Sequence, residues 1–384
     1  MATTAFVPDP PNDLTVPSAT STTSRAIYSM ALRKLFDDLR ALRLHGLSPA
    51  LEHDYRGLRE TLVSFLPGKP GAVASLLRSP AVAAPLRCLR DGLGERERCV
   101  AELVTQSYYQ LELQGAIERA PELRAPAPIR LSPLSGTATS KPDAYTWVAG
   151  DGALTTYLAT VDNNPLSHFE AHPDKEGNAI DLGGRSAQQW ADALRTGLTL
   201  VETVPGLRKD VALFVRQFVP VGFNAEQHLS ATYQQAIGTV YLSLHPDPLT
   251  MAEAIVHEVS HSKLNALLEL DPVLQNTADE RYPSPVRPDP RPIMGVLLAA
   301  HAFVAVAYLY ERLAKVDHPI AQTPMFERRR SAIHQSNADG VALLAKHARP
   351  TRIGAGILEE LSAAVACTTS SSTAFRRGST RSAT

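Results

Sequence analysis

The residues with the clearest capacity for chemistry are two histidines four positions apart, His257 and His261, with Glu258 directly after the first. On an α-helix, residues at this spacing project from the same face one turn apart, so both imidazoles can bind one metal ion. That face continues through the apolar residues Ala254 and Leu264, which directs it toward the protein interior. The motif therefore predicts a metal site on an inward-facing helix, and by itself it leaves the metal open.

A catalytic metal site of this kind needs a third protein ligand. His301 is the most plausible by position, because it lies on the buried stripe of the next apolar helix. Two alternatives stay open: His301 is a core residue bonded to a backbone carbonyl, or a carboxylate such as Glu311, near the far end of that helix, is the ligand. Glu269 lies too close to the motif on the same helix, and Glu280 falls in a loop rich in proline and aspartate.

The composition narrows the functional classes. The chain has 384 residues, and 38 Lys and Arg against 39 Asp and Glu give a formal net charge of −1. This balance favours neither a nucleic acid nor an anionic membrane as a partner. Three cysteines without a close pair leave no CxxC motif and indicate a reducing compartment, so we expect a cytoplasmic protein. Residues 293–310 carry no formal charge, and we expect a buried core helix there rather than a membrane span.

The patterning predicts an α+β fold that is predominantly helical, with the metal site between two core helices and a small mixed β region upstream. We expect four segments along the chain: a flexible tail at 1–24, a helical N-terminal region at 25–125, an α/β catalytic region at 126–366 and a flexible tail at 367–384. A jelly roll is not expected, because the chain is largely helical after residue 250. The His-Pro-Asp sequences at 172–174 and 245–247 are typical of turns.

Hydrophobic periodicity and end signals place the main elements. The expected helices cover 25–45, 186–201, 251–268, 293–313 and 323–347, and capping boxes begin the second and third of them. The expected strands cover 154–161, 211–219 and 239–244.

Longer stretches around the motif carry a resemblance to a known family. Residues 257–268 read HEVSHSKLNALL, residues 287–292 read RPDPRP, and residues 295–303 read GVLLAAHAF. Together with blocks at 228–232 and 240–243, they resemble the HExxH-type, 2-oxoglutarate-dependent peptide β-hydroxylases associated with ribosomally made, post-translationally modified peptides. The similarity is good over about 225–315 and does not extend before residue 125.

This resemblance implies a nonheme Fe(II) oxygenase that uses 2-oxoglutarate and hydroxylates a side-chain carbon of a ribosomally synthesised precursor peptide. Fe(II) would be bound by His257, His261 and His301. Three protein ligands on an octahedral ion leave three positions for the cosubstrate and O₂. Glu258 would then lie beside the metal, or bond a neighbouring group, without acting as a proteolytic base.

The distal carboxylate of 2-oxoglutarate needs a cation or several hydroxyl donors. Arg287 and Arg291 precede the His301 helix by a few residues, and we favour Arg291 because it adjoins the start of that helix. The alternative is that both arginines only tie down the proline-rich loop. His228 and Ser230 lie two positions apart, on the same side of an expected strand, and are candidates for lining the pocket.

Two other functions explain the motif. A zinc metallopeptidase would use Glu258 as general base on a zinc-bound water, but the third-ligand patterns typical of such proteases are missing. A non-catalytic peptide-binding protein would carry a degenerate metal site. Dependence on Fe(II) and 2-oxoglutarate, chelator-sensitive cleavage and metal content separate the three hypotheses.

Overall fold

The structure is a computed structural model, and it describes residues 13–128, 145–151, 154–167, 171–172, 175–176, 178–286 and 288–379. Helices account for 58% of the chain, and the described part contains eleven α-helices and a small mixed sheet. This confirms the predicted α+β fold with a predominance of helix.

The chain forms two compact units, and neither follows the boundary expected near residue 125. One, here called the metal-motif unit, comprises Met1–Ile27, Leu198–Val211 and Ile255–Thr384. The other, here called the sheet unit, comprises Tyr28–Gly197 and Ala212–Ala254. The structure thus groups the helical N-terminal region with the strands that follow it, and it separates the region expected at 126–366 into parts of both units.

Apart from residues 23–27, which belong to the metal-motif unit, the sheet unit contains the helical region that the sequence predicted. The helices are α1 (Thr23–Ala41), α2 (Pro49–Phe65), α3 (Pro70–Arg78), α4 (Pro80–Asp91) and α5 (Arg96–Leu113). Leucines from all five of them share one hydrophobic core, among them Leu35, Leu58, Leu76, Leu86 and Leu103. Glycine at position 92 ends α4 with a φ of 68°, a left-handed conformation that glycine adopts without steric cost.

The strands form a five-stranded mixed sheet in the order β1 (Tyr145–Ala149), β2 (Thr156–Ala159), β5 (Gln217–Phe223), β7 (Thr239–Leu244) and β6 (Ser230–Ala231). The three central strands are parallel, and β1 and β6 pair antiparallel at the edges. Every residue of β7 is buried, as is usual for a parallel strand covered on both faces. A separate hairpin joins β3 (Ala171–His172) and β4 (Lys175–Glu176).

The predicted strands at 154–161 and 239–244 are confirmed by β2 and β7. The strand expected at 211–219 was placed too early, because the helix α7 (Pro205–Phe214) continues through the first part of that apolar run. Buried helix and buried strand share the same apolar composition over a short run. The helix predicted at 186–201 is α6 (Ala187–Val201), and its capping box is present: Gln189 N donates to Ser186 Oγ, and Ser186 N donates to Gln189 Oε1.

The motif helix α8 (Pro248–Leu268) begins three residues before the predicted start at 251. Its first turn is capped by Asp247, whose carboxylate accepts hydrogen bonds from the main-chain N–H groups of Leu249 and Thr250. Aspartate before proline is a strong helix start, and here it replaces the expected Thr250 box. Asp247 N in turn donates to His245 Nδ1, so the turn predicted at 245–247 is confirmed. Of the turn expected at 172–174, the last two positions lie outside the described residues.

The metal-motif unit continues with α9 (Ile293–Lys315), α10 (Pro324–His347) and α11 (Arg352–Ser379), preceded by the short pair β8 (Arg281–Tyr282) and β9 (Arg291–Pro292). Thr323 caps α10 by accepting from Phe326 N. In the described part of the chain, α9 alone is long and apolar enough to cross a membrane, but 67% of its most apolar window is buried inside the protein. It is the core helix that the sequence predicted.

Both expected tails differ from the structure where it describes them. From residue 13 the N-terminal segment is packed into the fold, with Leu14 only 1% exposed. At the other end α11 extends to Ser379, past the start of the tail expected at 367. The tails were predicted from composition alone. Composition cannot show that a single leucine is buried by distant parts of the chain.

Candidate metal centre

The two motif histidines converge at one point on α8. His257 Nε2 and His261 Nε2 lie 2.9 Å apart, and the two rings are perpendicular, with centroids 4.5 Å apart. Both side chains are partly exposed. Burial and the neighbouring His257 lower the pKa of His261 well below its ordinary value, so its ring is neutral at neutral pH. A neutral imidazole offers the lone pair that a metal requires.

The distance between the two Nε2 atoms is compatible with a hydrogen bond between the rings, and it is also compatible with a metal ion bound by both. Two nitrogens about 2.1 Å from one ion are about 3.0 Å apart at a right angle and about 3.4 Å apart at a tetrahedral angle. The observed 2.9 Å is also an ordinary hydrogen-bond distance, so the two residues fit two ligands of one metal ion without selecting its geometry.

An aromatic side chain from the next helix covers the motif. The ring of Phe303 lies 4.8 Å from the ring of His257, with an interplanar angle of 62°. The guanidinium carbon of Arg329, on α10, lies 5.8 Å from the Phe303 ring centroid. Sequence reasoning missed both residues, although Phe303 follows His301 by two positions and stands in a stretch that carries the family resemblance.

Glu258 is more deeply buried than the two histidines. It is 2% exposed, as expected for a residue rotated about 100° from His257 around the helix. A general base in a peptidase must reach a metal-bound water in an open cleft. The burial of Glu258 does not favour that role.

His301 lies on α9 in the buried stripe that the sequence predicted, and it is 1% exposed. Its Nε2 is 3.3 Å from the carbonyl oxygen of Leu14, and its Nδ1 is buried without a hydrogen-bond partner among the described residues. Burial, together with the nearby Lys263, lowers the pKa of His301 to about 3. The bond to a carbonyl is the one expected of a core histidine. It is also the bond that a metal-binding histidine commonly makes through its other ring nitrogen.

No group of three His, Cys, Asp or Glu side chains within the described residues is arranged to hold a metal ion. The structure therefore brings His257 and His261 together, and the third ligand stays a prediction. Glu311, the alternative carboxylate, is engaged elsewhere: Arg330 Nε and Nη2 donate to its two oxygens at 2.7 and 2.8 Å, and His334 Nε2 lies 2.7 Å from Oε1.

A buried ion pair lies under the C-terminal half of α8. Lys263, 2% exposed, has its Nζ 3.3 Å from Asp210 Oδ2 and donates to the carbonyl oxygen of Asp13 at 2.9 Å. At two positions beyond His261, Lys263 projects away from the histidine face of α8, and this geometry gives it a structural role. Its partner Asp210 was missed, because no local spacing connects two residues more than fifty positions apart.

Arg291, the favoured cosubstrate arginine, is placed less favourably than expected. Arg291 lies in β9, where its Nε is 2.8 Å from Asp289 Oδ2 and its side chain is 42% exposed. The eight-residue step from Ile293 to His301 spans about 12 Å along α9, which does not favour Arg291 as a contact at the level of His301. Arg287 lies outside the described residues.

His228 and Ser230 belong to the sheet unit. Ser230 is in β6 opposite Leu242, and Leu229 N donates to Ser243 Oγ just before it. Burial and the nearby His245 lower the pKa of His228 to about 4. His228 Nε2 has no hydrogen-bond partner in the described part of the chain. Their role in lining a cosubstrate pocket stays a prediction.

No protein-family model matches this chain, and no curated protein matches it.

Proposed function

We propose that the protein is a nonheme Fe(II), 2-oxoglutarate-dependent oxygenase of the cytoplasm that hydroxylates a side-chain carbon, at the β position, of a ribosomally made peptide. The observation that carries the proposal is the convergence of His257 Nε2 and His261 Nε2 at 2.9 Å on a helix whose glutamate is buried. The longer resemblance around the motif supports iron and 2-oxoglutarate over zinc.

We assign His301 as the third ligand, through Nδ1. A buried nitrogen without a partner is unfavourable, and a metal would satisfy it. The Nε2–H of His301 would meanwhile keep its bond to the Leu14 carbonyl and fix the ring orientation. The bound Fe(II) and 2-oxoglutarate would supply the oxidant, formed from O₂ with release of succinate and CO₂.

The remaining residues position and shield. Phe303 packs on His257 and restricts water on that side of the ring. Glu258 is buried on the adjoining face of α8, and it has a structural role there and does not activate water. For the distal carboxylate of 2-oxoglutarate we keep Arg291 as a candidate and add Arg329, which stacks on Phe303.

The test is a reaction of the full-length protein with a peptide encoded beside its gene, in the presence of Fe(II), ascorbate and 2-oxoglutarate. Mass spectrometry should detect a product heavier by one oxygen atom, with one succinate released per hydroxylation. Omission of 2-oxoglutarate should stop the reaction.

The cosubstrate site is tested by the KM for 2-oxoglutarate in Arg291→Ala and Arg329→Ala, with Arg328→Ala as the exposed control. Loss of the functional arginine should raise KM by tens-fold with unchanged iron content, as expected for a lost carboxylate partner. Chelator-sensitive peptide cleavage that disappears in Glu258→Gln would instead establish the zinc peptidase.

A further inference from the structure

Residues 13–16 lie in the metal-motif unit in the manner of a bound peptide. No main-chain-to-main-chain hydrogen bond between described residues involves them. Their main-chain groups are bound instead by side chains. The chain at 13–16 belongs to no helix or strand, and Asp13 has a φ of 73°.

Three ionisable side chains from three helices make these contacts. Glu360 of α11 accepts from two successive amides, Leu14 N at 3.0 Å and Thr15 N at 2.8 Å. Lys263 of α8 donates to the carbonyl oxygen of Asp13, and His301 of α9 is bonded to that of Leu14. A carboxylate that accepts from two adjacent N–H groups recognises a bent main chain whatever its side chains are, because successive N–H groups of an extended chain point in opposite directions.

One side chain of the segment is recognised as well. Leu14 is 1% exposed, so the site also holds a leucine-sized apolar group. Thr15 is 3% exposed, and its Oγ1 has no partner among the described residues.

The segment also borders an open cavity of about 770 Å³. Asp13, Thr15 and Val16 form one wall, and residues of α9, α10 and α11, among them Tyr308 and Asn337, form the rest. Tyr308 is 52% exposed. A cavity of this size beside a segment already held by its main chain leaves room for a longer peptide than residues 13–16 alone.

We propose that Lys263, His301 and Glu360, with the Leu14 pocket, form a peptide-binding site, and that residues 13–16 are its intramolecular occupant. The ligand in trans is a peptide that adopts the same bent main-chain conformation, with a leucine-sized side chain at the Leu14 position. A tethered segment competes at an effective concentration on the order of millimolar, so it holds the site closed against weak ligands. This proposal does not depend on the metal.

The experiment uses a fluorescein-labelled synthetic peptide of residues 12–21 and the full chain, in EDTA so that metal binding plays no part. Leu14→Asp in the chain places a charge in the pocket and expels the occupant. Fluorescence anisotropy should show that this variant binds the peptide at least tenfold more tightly than the wild type does. The same peptide with its own leucine changed to aspartate should not bind.

A second substitution assigns the contact. Adding Glu360→Gln to Leu14→Asp should weaken peptide binding by at least tenfold, whereas Glu359→Gln, an exposed neighbour, should leave it unchanged. If the expelled variant, shown to be folded by circular dichroism, does not bind the peptide, or if Glu359→Gln weakens binding as much as Glu360→Gln does, the proposal is wrong.

Hydrogen exchange of the wild type decides the matter if Leu14→Asp does not fold. An occupant leaves by local opening, so the amides of Leu14 and Thr15 should exchange at least 100-fold faster than that of Val306 in the middle of α9. Equal protection at the three amides would show that residues 13–16 open only with global unfolding, and would overturn the proposal.

Discussion

The histidines of α8 and the histidine of α9 have different kinds of interaction partner. His257 and His261 are partly exposed, and their Nε2 atoms lie 2.9 Å apart. His301 is sealed from solvent and bonded to the main chain of residue 14, far away in sequence. The first pair is formed within one helix and is partly exposed, whereas His301 is buried and its partner is distant in sequence.

This difference shows which contacts can be predicted from residue spacing and which cannot. An i, i+4 pair is brought together by the helix itself, so the sequence predicts its geometry directly. A buried histidine has its partner chosen by tertiary packing, and several partners are compatible with one apolar stripe. Changes at His257, His261, His301 and Glu311 test whether the two sites belong to one metal centre, and a change at Lys263 tests the ion pair beside His301.

The largest effect is expected at the local site. His257→Ala or His261→Ala removes one of two converging nitrogens, so Fe(II) affinity should fall by at least 100-fold, on the order of 3 kcal/mol or more. Competition titration with a coloured chelator measures this, with the exposed His45→Ala as control. Unchanged affinity in either variant would show that the motif binds no metal.

An effect of similar size, on stability and not on metal binding, concerns the ion pair close to His301. Lys263→Met leaves Asp210 buried without its cation, which should cost about 3–5 kcal/mol of unfolding free energy. Urea denaturation measures the loss. The double variant Lys263→Met/Asp210→Leu should recover a good part of it, because it buries no unpaired charge. A double variant as unstable as the single one would show that packing, not charge, sets the cost.

A substitution at His301 distinguishes a metal ligand from a core histidine. His301→Ala deprives the Leu14 carbonyl of its donor and should lower the unfolding free energy by about 1–3 kcal/mol. If His301 is also the third ligand, Fe(II) affinity should fall by tenfold or more in the same variant. Lower stability with unchanged Fe(II) affinity would identify a core histidine and leave the third ligand to be found.

The sequence predicted the parts of the fold that local signals determine. The helical face of His257 and His261, the capping box at Ser186 and the strand at 239–244 all depend on neighbours within a few positions, and the structure agrees with them. The end of α7 within an apolar run was not predicted, because burial in a helix and in a strand select the same residues.

The long-range parts of the site could not be read in this way. The pairing of Lys263 with Asp210 and the bonds of Glu360 to residues 14 and 15 join positions that no periodicity connects. The packing of Leu14 was hidden for the same reason, since one leucine in a Pro/Ser/Thr-rich stretch carries no pattern. Phe303 was visible in the resembling stretch, but its contact with His257 depends on how α9 packs.

The smallest effect concerns Glu311, the carboxylate that the sequence offered as an alternative ligand. Burial alone would raise its pKa, but hydrogen bonds from His334 and Arg330 outweigh burial and lower the pKa from 4.5 to about 2. A carboxylate with a lower pKa in the folded state contributes stability above pH 4.5, and this contribution is lost as the pH falls toward 2.

We therefore expect the wild type to lose unfolding free energy between pH 5 and pH 2 more steeply than Glu311→Gln does. The difference should be about 1 kcal/mol, since the group is 30% exposed and solvent screens the pair. Glu327→Gln, which removes the more exposed partner of Arg330, should change the slope less. Urea denaturation across this pH range measures the three slopes.

At pH 7 Fe(II) affinity should be the same in Glu311→Gln and the wild type, because a carboxylate held by Arg330 and His334 is not available to a metal. A Glu311→Gln variant that loses Fe(II) would reverse the assignment and make Glu311, not His301, the group that completes the His257–His261 pair.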